Sequence, residues 1–209
     1  MKIKICGVTN LPDAISAVLL GADYAGFIVE VKTSKDRIKR QEAKEIISKL
    51  PDTIRPVYVT LEKKSKKIIE IAKEIHPAII QLHGDITVAE IKKLRKSLKS
   101  IELMKAIIVK DLKSIDEAKK FESLVDYILL DSPKDKTGKG KKHNWEISKK
   151  IVELVHKPVF LAGGLTPENV REAVQKVQPY AADVNSGVET VKRKKDHHKM
   201  LLFIKRAKK

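Results

Sequence analysis

Cysteine, aromatic residues and long hydrophobic runs are all scarce in this chain of 209 residues. The one cysteine, Cys6, cannot form an internal disulfide, and no cysteine cluster indicates a metal site. We therefore expect a reducing, cytoplasmic location. No stretch approaches the roughly 18 consecutive apolar residues of a membrane-spanning helix, and residues 1–6 are too short a run for a signal peptide. These features predict a protein that does not associate with membranes.

The scarcity of aromatic side chains also affects how the strongly basic charge is interpreted. The chain carries 44 Lys and Arg residues against 27 Asp and Glu residues, for a net charge of +17. Such a balance is compatible with nucleic-acid binding, but aromatic residues make up only 4% of the chain and offer few stacking partners for bases. Pairs such as Lys92-Lys93 and Lys149-Lys150 lie in helix-like segments. We predict a solvated basic surface that attracts an anionic substrate, and keep a nucleic-acid-binding protein as the rival from another class.

Short apolar runs alternate with amphipathic segments along the whole chain. The runs are continuously apolar, as in strands buried on both faces, and the segments between them carry apolar residues at helical spacing, as at Val170, Val174 and Val177. The predicted strands are residues 3–6, 24–29, 56–59, 78–82, 103–107, 127–130, 159–162 and 182–184. The predicted helices are residues 11–20, 41–50, 64–75, 87–98, 112–121, 145–155, 167–175 and 196–207.

This alternation predicts the fold class, which is α/β. Repeated strand–helix units imply a parallel sheet, and eight such units favour closure into a (β/α)8 TIM barrel. We expect residues 1–209 to form a single domain, because no linker or low-complexity segment interrupts the pattern. An open, doubly wound sheet is the alternative fold.

Two glycine turns follow the last two predicted strands. The first contains Gly163 and Gly164 and continues into Thr166, which is expected to cap a helix with Pro167 in its first turn. The second contains Asn185, Ser186 and Gly187, which we include among the substrate-binding candidates. Glycines let the backbone approach an anion, and two such turns after strands seven and eight form a phosphate site in many (β/α)8 barrels.

Other candidates lie where earlier strands end, because chemistry in this fold takes place at that face of the barrel. Cys6 ends the first strand and Asp131 follows the sixth; the alternatives are a small buried residue and a loop-opening residue. Gln81 and His83 lie at the end of the fourth strand, although His83 could be purely structural. Arg37 is either a solvated loop cation or a bidentate ligand for a carboxylate.

Taken in order, these segments resemble the phosphoribosylanthranilate isomerase family over essentially the whole chain. The resemblance implies a (β/α)8 barrel that converts N-(5'-phosphoribosyl)anthranilate to 1-(2-carboxyphenylamino)-1-deoxyribulose 5-phosphate in tryptophan biosynthesis. The matching motifs are Lys4-Ile5-Cys6-Gly7, Gly26-Phe27 with Ser34 and Arg37, Gln81-Leu82-His83-Gly84, Leu129-Leu130-Asp131, Gly138-Lys139-Gly140 up to Trp145, Ala162-Gly163-Gly164-Leu165-Thr166-Pro167-Glu168-Asn169-Val170 and Asp183-Val184-Asn185-Ser186-Gly187-Val188-Glu189.

By matching position, the resemblance implies that Cys6 is the general base, that Asp131 is the general acid and that Arg37 faces the anthranilate carboxylate. Phosphate would be bound by Gly163, Gly164, Ser186 and neighbouring backbone. The chain departs from the family's usual pattern at Lys139, at His143-Asn144 and at Asn185, and the spacing from Ser34 to Arg37 is one residue longer. The substrate is a small molecule, and a monomer or a homodimer is compatible with the family.

The implied reaction is an Amadori rearrangement, which needs one acid, one base and no metal or other cofactor. Asp131 must be protonated when it acts, and burial would raise its pKa. Cys6 must be a thiolate, and we expect lysines of the loop at residues 132–144 to lower its pKa. Another sugar-phosphate isomerase or epimerase on the same fold is the nearest alternative.

Overall fold

Eight parallel strands close into a barrel in the computed structural model, which describes residues 1–133, 143–191 and 193–209. Neighbouring strands follow the chain order around the barrel, and the first pairs with the last, so the open-sheet alternative is excluded. The barrel strands are β1 (Lys2–Ile5), β2 (Tyr24–Val29), β4 (Arg55–Thr60), β5 (Ile79–Leu82), β6 (Glu102–Ile108), β7 (Tyr127–Asp131), β8 (Val159–Leu161) and β9 (Ala181–Val184).

Helices follow the strands and cover the outside of the barrel. Their apolar faces pack with the outward-facing strand residues in one large core, which includes Ile3, Phe27, Ile128 and Phe203. The helices within the described residues are α1 (Leu11–Leu19), α2 (Arg40–Ile47), α3 (Ser65–Ile75), α4 (Val88–Ser97), α5 (Lys113–Glu122), α6 (Trp145–Leu154), α7 (Val170–Val177) and α8 (His197–Ala207). None of them is long and apolar enough to cross a membrane.

The observed bounds lie within one or two residues of the predicted ones, with two exceptions. Helix α2 ends three residues earlier than predicted, and α7 begins at Val170 and not at residue 167. The start of α7 is displaced because Thr166 Oγ1 accepts a hydrogen bond from Glu168 N at 3.2 Å, while Asn169 Oδ1 accepts one from Thr166 N at 2.8 Å. Val170 N also donates to Thr166 O at 3.0 Å, so Thr166 caps the turn that leads into α7, one turn before the first residue of the regular helix.

Small elements that periodicity did not predict border the carboxyl end of the barrel. Strand β3 (Arg37–Ile38) pairs in parallel with β2. Strands β10 (Glu189–Val191) and β11 (Lys194–Lys195) form an antiparallel hairpin between β9 and α8. Each element has only two or three residues, which is too short to show a hydrophobic period.

The inside of the barrel is filled by the alternate residues of each strand. Near the amino end these are large apolar side chains such as Tyr24, Met104 and Phe160. Toward the carboxyl end the same faces carry Cys6 and Gln81, both buried. Because side chains alternate along a strand, the polar groups of different strands point into one shared opening.

Candidate active site

Asp131 and His83 meet at the carboxyl end of the barrel. Asp131 is the last residue of β7, and its Oδ2 lies 3.4 Å from Nε2 of His83, which follows β5. His83 Nδ1 lies 3.2 Å from Nε2 of Gln81, so Gln81 fixes the orientation of the imidazole ring. Ser132 N donates to Asp131 Oδ1 at 2.8 Å. Both Asp131 and His83 remain partly exposed, at 16% and 15% of the side chain, and a ligand can therefore reach them.

Cys6 lies beside a buried lysine on the inner face of the barrel. A Cβ atom placed on Gly26 would lie 2.9 Å from Cys6 Sγ and 3.2 Å from Lys4 Nζ, so the thiol and the ammonium group share the space that this glycine leaves free. Lys4 Nζ donates to Asp183 Oδ2 at 2.9 Å, and both side chains of this ion pair are buried. Among the described residues, Asp183 Oδ1 has no hydrogen-bond partner.

The electrostatics of Cys6 differ from the expectation of a thiol with a lowered pKa. Burial raises the pKa of Cys6, and the opposing effects of Lys4 and Lys195 do not fully compensate. Burial by itself would lower the pKa of Lys4, but the charges of Asp183 and Cys6 raise it, so Lys4 remains an ammonium group. The pKa of Asp183 is raised by burial, against the effect of Lys4. Of the residues that the structure describes, Lys4 on the inner face of the barrel thus places a positive charge beside the thiol.

The two glycine turns are in direct contact. A Cβ on Gly187 would lie 2.0 Å from the carbonyl oxygen of Leu165, so only glycine lets the second turn approach the first this closely. Gly163 has φ +84°, and a Cβ there would lie 2.1 Å from Ser132 Oγ. The backbone N–H groups of Gly163 and Gly164 donate to no acceptor within the described part of the chain. The turns therefore present one continuous set of backbone donors.

Asn185 packs over the residue that follows Cys6. Gly7 has φ +65°, and a Cβ there would lie 2.4 Å from Asn185 Oδ1. The amide oxygen of Asn185 accepts a hydrogen bond from Lys195 Nζ at 2.7 Å, and its amide nitrogen donates to Asp36 Oδ2 at 3.0 Å. Burial lowers the pKa of Lys195. The side chain of Asn185 is held by both neighbours beside the start of the second glycine turn.

The structure does not bring Arg37 into contact with Cys6 or Asp131. Arg37 is exposed, and its Nη1 donates to the carbonyl oxygen of Lys32 at 3.1 Å. The neighbouring residue Asp36 is buried and points toward Asn185. Arg37 is thus the exposed first residue of β3 and directly follows the buried Asp36.

His143 connects the residue that follows β7 to helix α6. Its Nδ1 lies 2.9 Å from Ser132 Oγ and its Nε2 lies 2.6 Å from Ser148 Oγ. Burial lowers the pKa of His143 to about 4, so it is neutral near pH 7. The motif Gly138-Lys139-Gly140, and the loop lysines expected to act on Cys6, lie outside the described residues.

Sequence reasoning missed Lys4, Asp183 and Lys195 as functional residues. Lys4 and Asp183 both occur in motifs given above. Because they are 179 positions apart in the sequence, no local pattern shows that their side chains pair. Lys195 looked like one more surface lysine in a basic segment, yet its side chain is fully buried. Within the described residues, no group of three or more His, Cys, Asp and Glu side chains is arranged to hold a metal ion.

The chain was compared with known proteins. Residues 3–206 match the family model described as N-(5'phosphoribosyl)anthranilate (PRA) isomerase. An N-(5'-phosphoribosyl)anthranilate isomerase 2 of Methanosarcina mazei is 41% identical, covering 100% of this chain and 94% of the relative. The same-named enzyme of Bacillus cereus is 40% identical over 100% of this chain and 98% of its own length.

Solved structures give the same result. The phosphoribosyl anthranilate isomerase of Thermotoga maritima superposes with a TM-score of 0.90 at 35% identity, covering 100% of this chain and 98% of that one. A second isomerase structure contains reduced 1-(o-carboxyphenylamino)-1-deoxyribulose 5-phosphate and superposes with a TM-score of 0.87 at 33% identity, covering 100% and 98% of the two chains. The chain belongs to the N-(5'-phosphoribosyl)anthranilate isomerase family.

Proposed function

We propose that this protein is an N-(5'-phosphoribosyl)anthranilate isomerase, which converts its substrate to 1-(2-carboxyphenylamino)-1-deoxyribulose 5-phosphate in tryptophan biosynthesis. The observation that carries the proposal is that a buried thiol beside an ammonium group and a reachable carboxyl group lie at the same opening as two touching glycine turns. The names of the relatives and the ligand of the related structure support the same reaction.

The substrate is proposed to bind by its two charged ends. Its phosphate would accept hydrogen bonds from the backbone N–H groups of Gly163, Gly164, Ser186 and Gly187. Its carboxylate would meet Arg37, whose exposed guanidinium is free to turn from the Lys32 carbonyl toward a bidentate partner. Binding at both ends places the sugar between Cys6 and Asp131.

Asp131 is proposed to act as the general acid. It would protonate the ring oxygen of the ribose, so that the furanose opens to a protonated Schiff base. His83 lies 3.4 Å from Asp131 and is itself oriented by Gln81, so these two residues would set the direction of the carboxyl group and contact the substrate. Removing this acid leaves no proton donor at the ring oxygen, and general acids of this kind contribute about 10²–10⁴-fold to a rate.

Cys6 is proposed to act as the general base. As a thiolate it would take the C2 proton of the protonated Schiff base and give an enolamine, which tautomerises to the ketone. Burial opposes formation of the thiolate, whereas Lys4 next to Sγ favours it. The positive charge of the Schiff base would add to that of Lys4, so the thiolate forms most readily when the ring-opened substrate is bound.

A coupled assay tests this function. N-(5'-phosphoribosyl)anthranilate is generated in situ from anthranilate and phosphoribosyl pyrophosphate, and the decay of its fluorescence is followed with and without the protein. We expect enzyme-dependent decay, and the variant Lys194→Met, at an exposed lysine of β11, should match the wild type. Decay no faster than in buffer defeats the proposal. Turnover of ribose 5-phosphate in its place would favour another sugar-phosphate isomerase.

Several expectations from the sequence stay predictions. They are the single-domain organisation of residues 1–209, the cytoplasmic location, a monomeric or homodimeric state, activity without a metal or other cofactor, and the absence of nucleic-acid binding. The last is open to a simple measurement, because nonspecific binding to DNA or RNA would weaken steeply as salt is raised.

A further inference from the structure

Five side chains form a closed ring of polar contacts at the edge of the site. Lys195 Nζ donates to Asn185 Oδ1 at 2.7 Å, and Asn185 Nδ2 donates to Asp36 Oδ2 at 3.0 Å. Asp36 Oδ1 lies 3.7 Å from Lys35 Nζ, which also pairs with Glu189. Glu189 Oε1 lies 3.4 Å from Lys195 Nζ and completes the circuit. We call these five residues the rim ring.

The rim ring is mostly buried and its charges balance. Asp36 is 1% exposed, and the side chains of Lys195 and Glu189 are 0% and 8% exposed, whereas that of Lys35 is 38% exposed. Lysines and carboxylates alternate around the ring, and the neutral amide of Asn185 stands between Lys195 and Asp36. Buried charges persist only when they are paired and hydrogen-bonded, so loss of one member leaves its neighbours without compensation.

Asn185 is the member that joins the two halves of the ring. Lysine can only donate and a carboxylate can only accept, so the amide must turn its oxygen to Lys195 and its nitrogen to Asp36. Gly7 leaves the space that this side chain fills. A shorter side chain such as that of serine would not reach both Lys195 and Asp36 across this space.

The rim ring connects three segments of the chain, two of which carry the proposed binding groups for the phosphate and the carboxylate of the substrate. Asn185 begins the second glycine turn, Asp36 precedes Arg37, and Glu189 and Lys195 belong to the β10–β11 hairpin. We propose that Asn185 is a positioning residue which, through the rim ring, fixes the distance between the backbone donors of the glycine turns and the backbone segment that carries Arg37. This inference rests on the proposed function, since it assumes a ligand with a phosphate at one end and a carboxylate at the other.

The consequence for binding follows from the two-ended ligand. When the subsites are held at a fixed separation, binding of one end places the other at high effective concentration. When the separation fluctuates, each subsite still binds its own fragment. The intact ligand, however, loses the additional affinity that it gains from carrying both ends on one molecule. Breaking the ring should therefore weaken the linked ligand far more than either fragment.

The test uses a charge exchange between neighbours. Asn185→Asp is isosteric but sets a second carboxylate against Asp36, whereas the double variant Asn185→Asp/Asp36→Asn restores one donor and one acceptor at that contact. The ligands are reduced 1-(o-carboxyphenylamino)-1-deoxyribulose 5-phosphate, inorganic phosphate and anthranilate. Calorimetry gives their affinities, and steady-state kinetics give KM and kcat separately.

For Asn185→Asp we expect a loss of affinity for the reduced analogue on the order of tenfold or more, with a matching rise in KM and kcat changed by less than about twofold. Phosphate and anthranilate should bind as in the wild type, and the double variant should recover most of the lost affinity. Equal weakening of phosphate and the analogue, or no recovery in the double variant, overturns the inference. Failure of the wild type to bind the analogue would instead overturn the proposed function.

A second variant covers the case in which Asn185→Asp does not fold. Lys35→Met opens the ring at its most exposed member, where the cost to folding is small. It should show the same selective loss for the linked analogue, at a few-fold. Lys32→Met removes an exposed lysine of the same loop outside the ring and serves as the matched control. Equal affinities of Lys35→Met and Lys32→Met for the analogue would overturn the inference.

Discussion

At the carboxyl end of the barrel, buried polar groups lack partners within the described residues, whereas at the amino end the corresponding groups are paired. Asp183 Oδ1 and Gln81 Oε1 are buried acceptors to which no described residue donates. Gly163 and Gly164 hold φ values of +84° and +68°, where other residues would be strained. The buried acceptors without a donor destabilise this end of the folded barrel, whereas glycine adopts its positive φ values without a steric cost.

The amino end contains large side chains that satisfy one another. Arg55 Nη1 donates to the hydroxyl of Tyr127 at 3.1 Å and its guanidinium also pairs with Glu102. Tyr127 packs edge-to-face on Phe160, with ring centroids 5.4 Å apart, and Phe160 packs likewise on Tyr24 at 5.1 Å. The two ends share the same strands, so one scaffold separates stability from chemistry along the barrel axis.

The largest effect should come from removing the acid or the base at the carboxyl end. Asp131→Asn and Cys6→Ser should each lower kcat/KM by about 10²–10⁴-fold, because each removes one proton transfer. Neither should lower the midpoint of thermal unfolding by more than a few degrees, since the Asp131 side chain is partly exposed and serine is close to cysteine in size. The fluorescence assay and thermal denaturation measure both quantities. Near-wild-type turnover in Asp131→Asn would assign the acid to another residue, with Asp183 the first to examine.

Changing the charges beside Cys6 should move its pKa in opposite directions. Lys4→Met removes the cation that favours the thiolate, so the pKa of Cys6 should rise by about one unit or more, whereas Asp183→Asn removes an opposing anion and should lower it. Because Cys6 is the one cysteine in the chain, the ultraviolet absorbance of the thiolate reports this group alone.

The raised pKa of Cys6 in Lys4→Met should also change the pH dependence of kcat/KM. The increase in activity that accompanies formation of the thiolate should occur at higher pH than in the wild type. The double variant Lys4→Met/Asp183→Asn avoids leaving a buried carboxylate without its partner and serves as the control for folding. Shifts of the same sign in both single variants would contradict the electrostatic role given to Lys4.

A third effect is a loss of folding stability at acidic pH, which arises from His143 at the carboxyl end of the barrel. His143 has a pKa of about 4 in the folded protein against an ordinary 6.5, so the unfolded chain binds an extra proton between these values. Stability is therefore complete above about pH 6.5 and declines as pH falls toward 4, by at most about 3 kcal/mol. Urea unfolding at pH 7 and pH 5 should show this decline, and His143→Asn should reduce it. An unchanged decline in the variant would exclude His143 as its source.

The sequence made the barrel, its eight strands and the catalytic candidates predictable, because period, strand length and glycine turns are local signals. The ion pair of Lys4 with Asp183 and the burial of Lys195 were not predictable in this way. They depend on which faces of distant strands converge, and a lysine in a basic chain has the same local pattern whether it is buried or solvated. The expectation that lysines of the loop at residues 132–144 act on Cys6 concerns residues outside the described ones, and the lysines that the structure places near the thiol are Lys4 of β1 and Lys195 of the hairpin.

The smallest effect is expected at the amino end, where Tyr127→Phe removes one hydroxyl and keeps the ring. That hydroxyl accepts from Arg55 and lies 3.2 Å from a carboxylate oxygen of Glu102, to which it donates. Its loss should lower the free energy of unfolding by about 1 kcal/mol, the usual net contribution of a hydrogen bond. The packing of the ring on Phe160 should persist, so kcat/KM should stay within about twofold of the wild type. Urea unfolding and the fluorescence assay measure the two quantities on one preparation. A tenfold loss of activity would mean that the two ends are coupled through the barrel interior and that the separation of stability from chemistry is wrong.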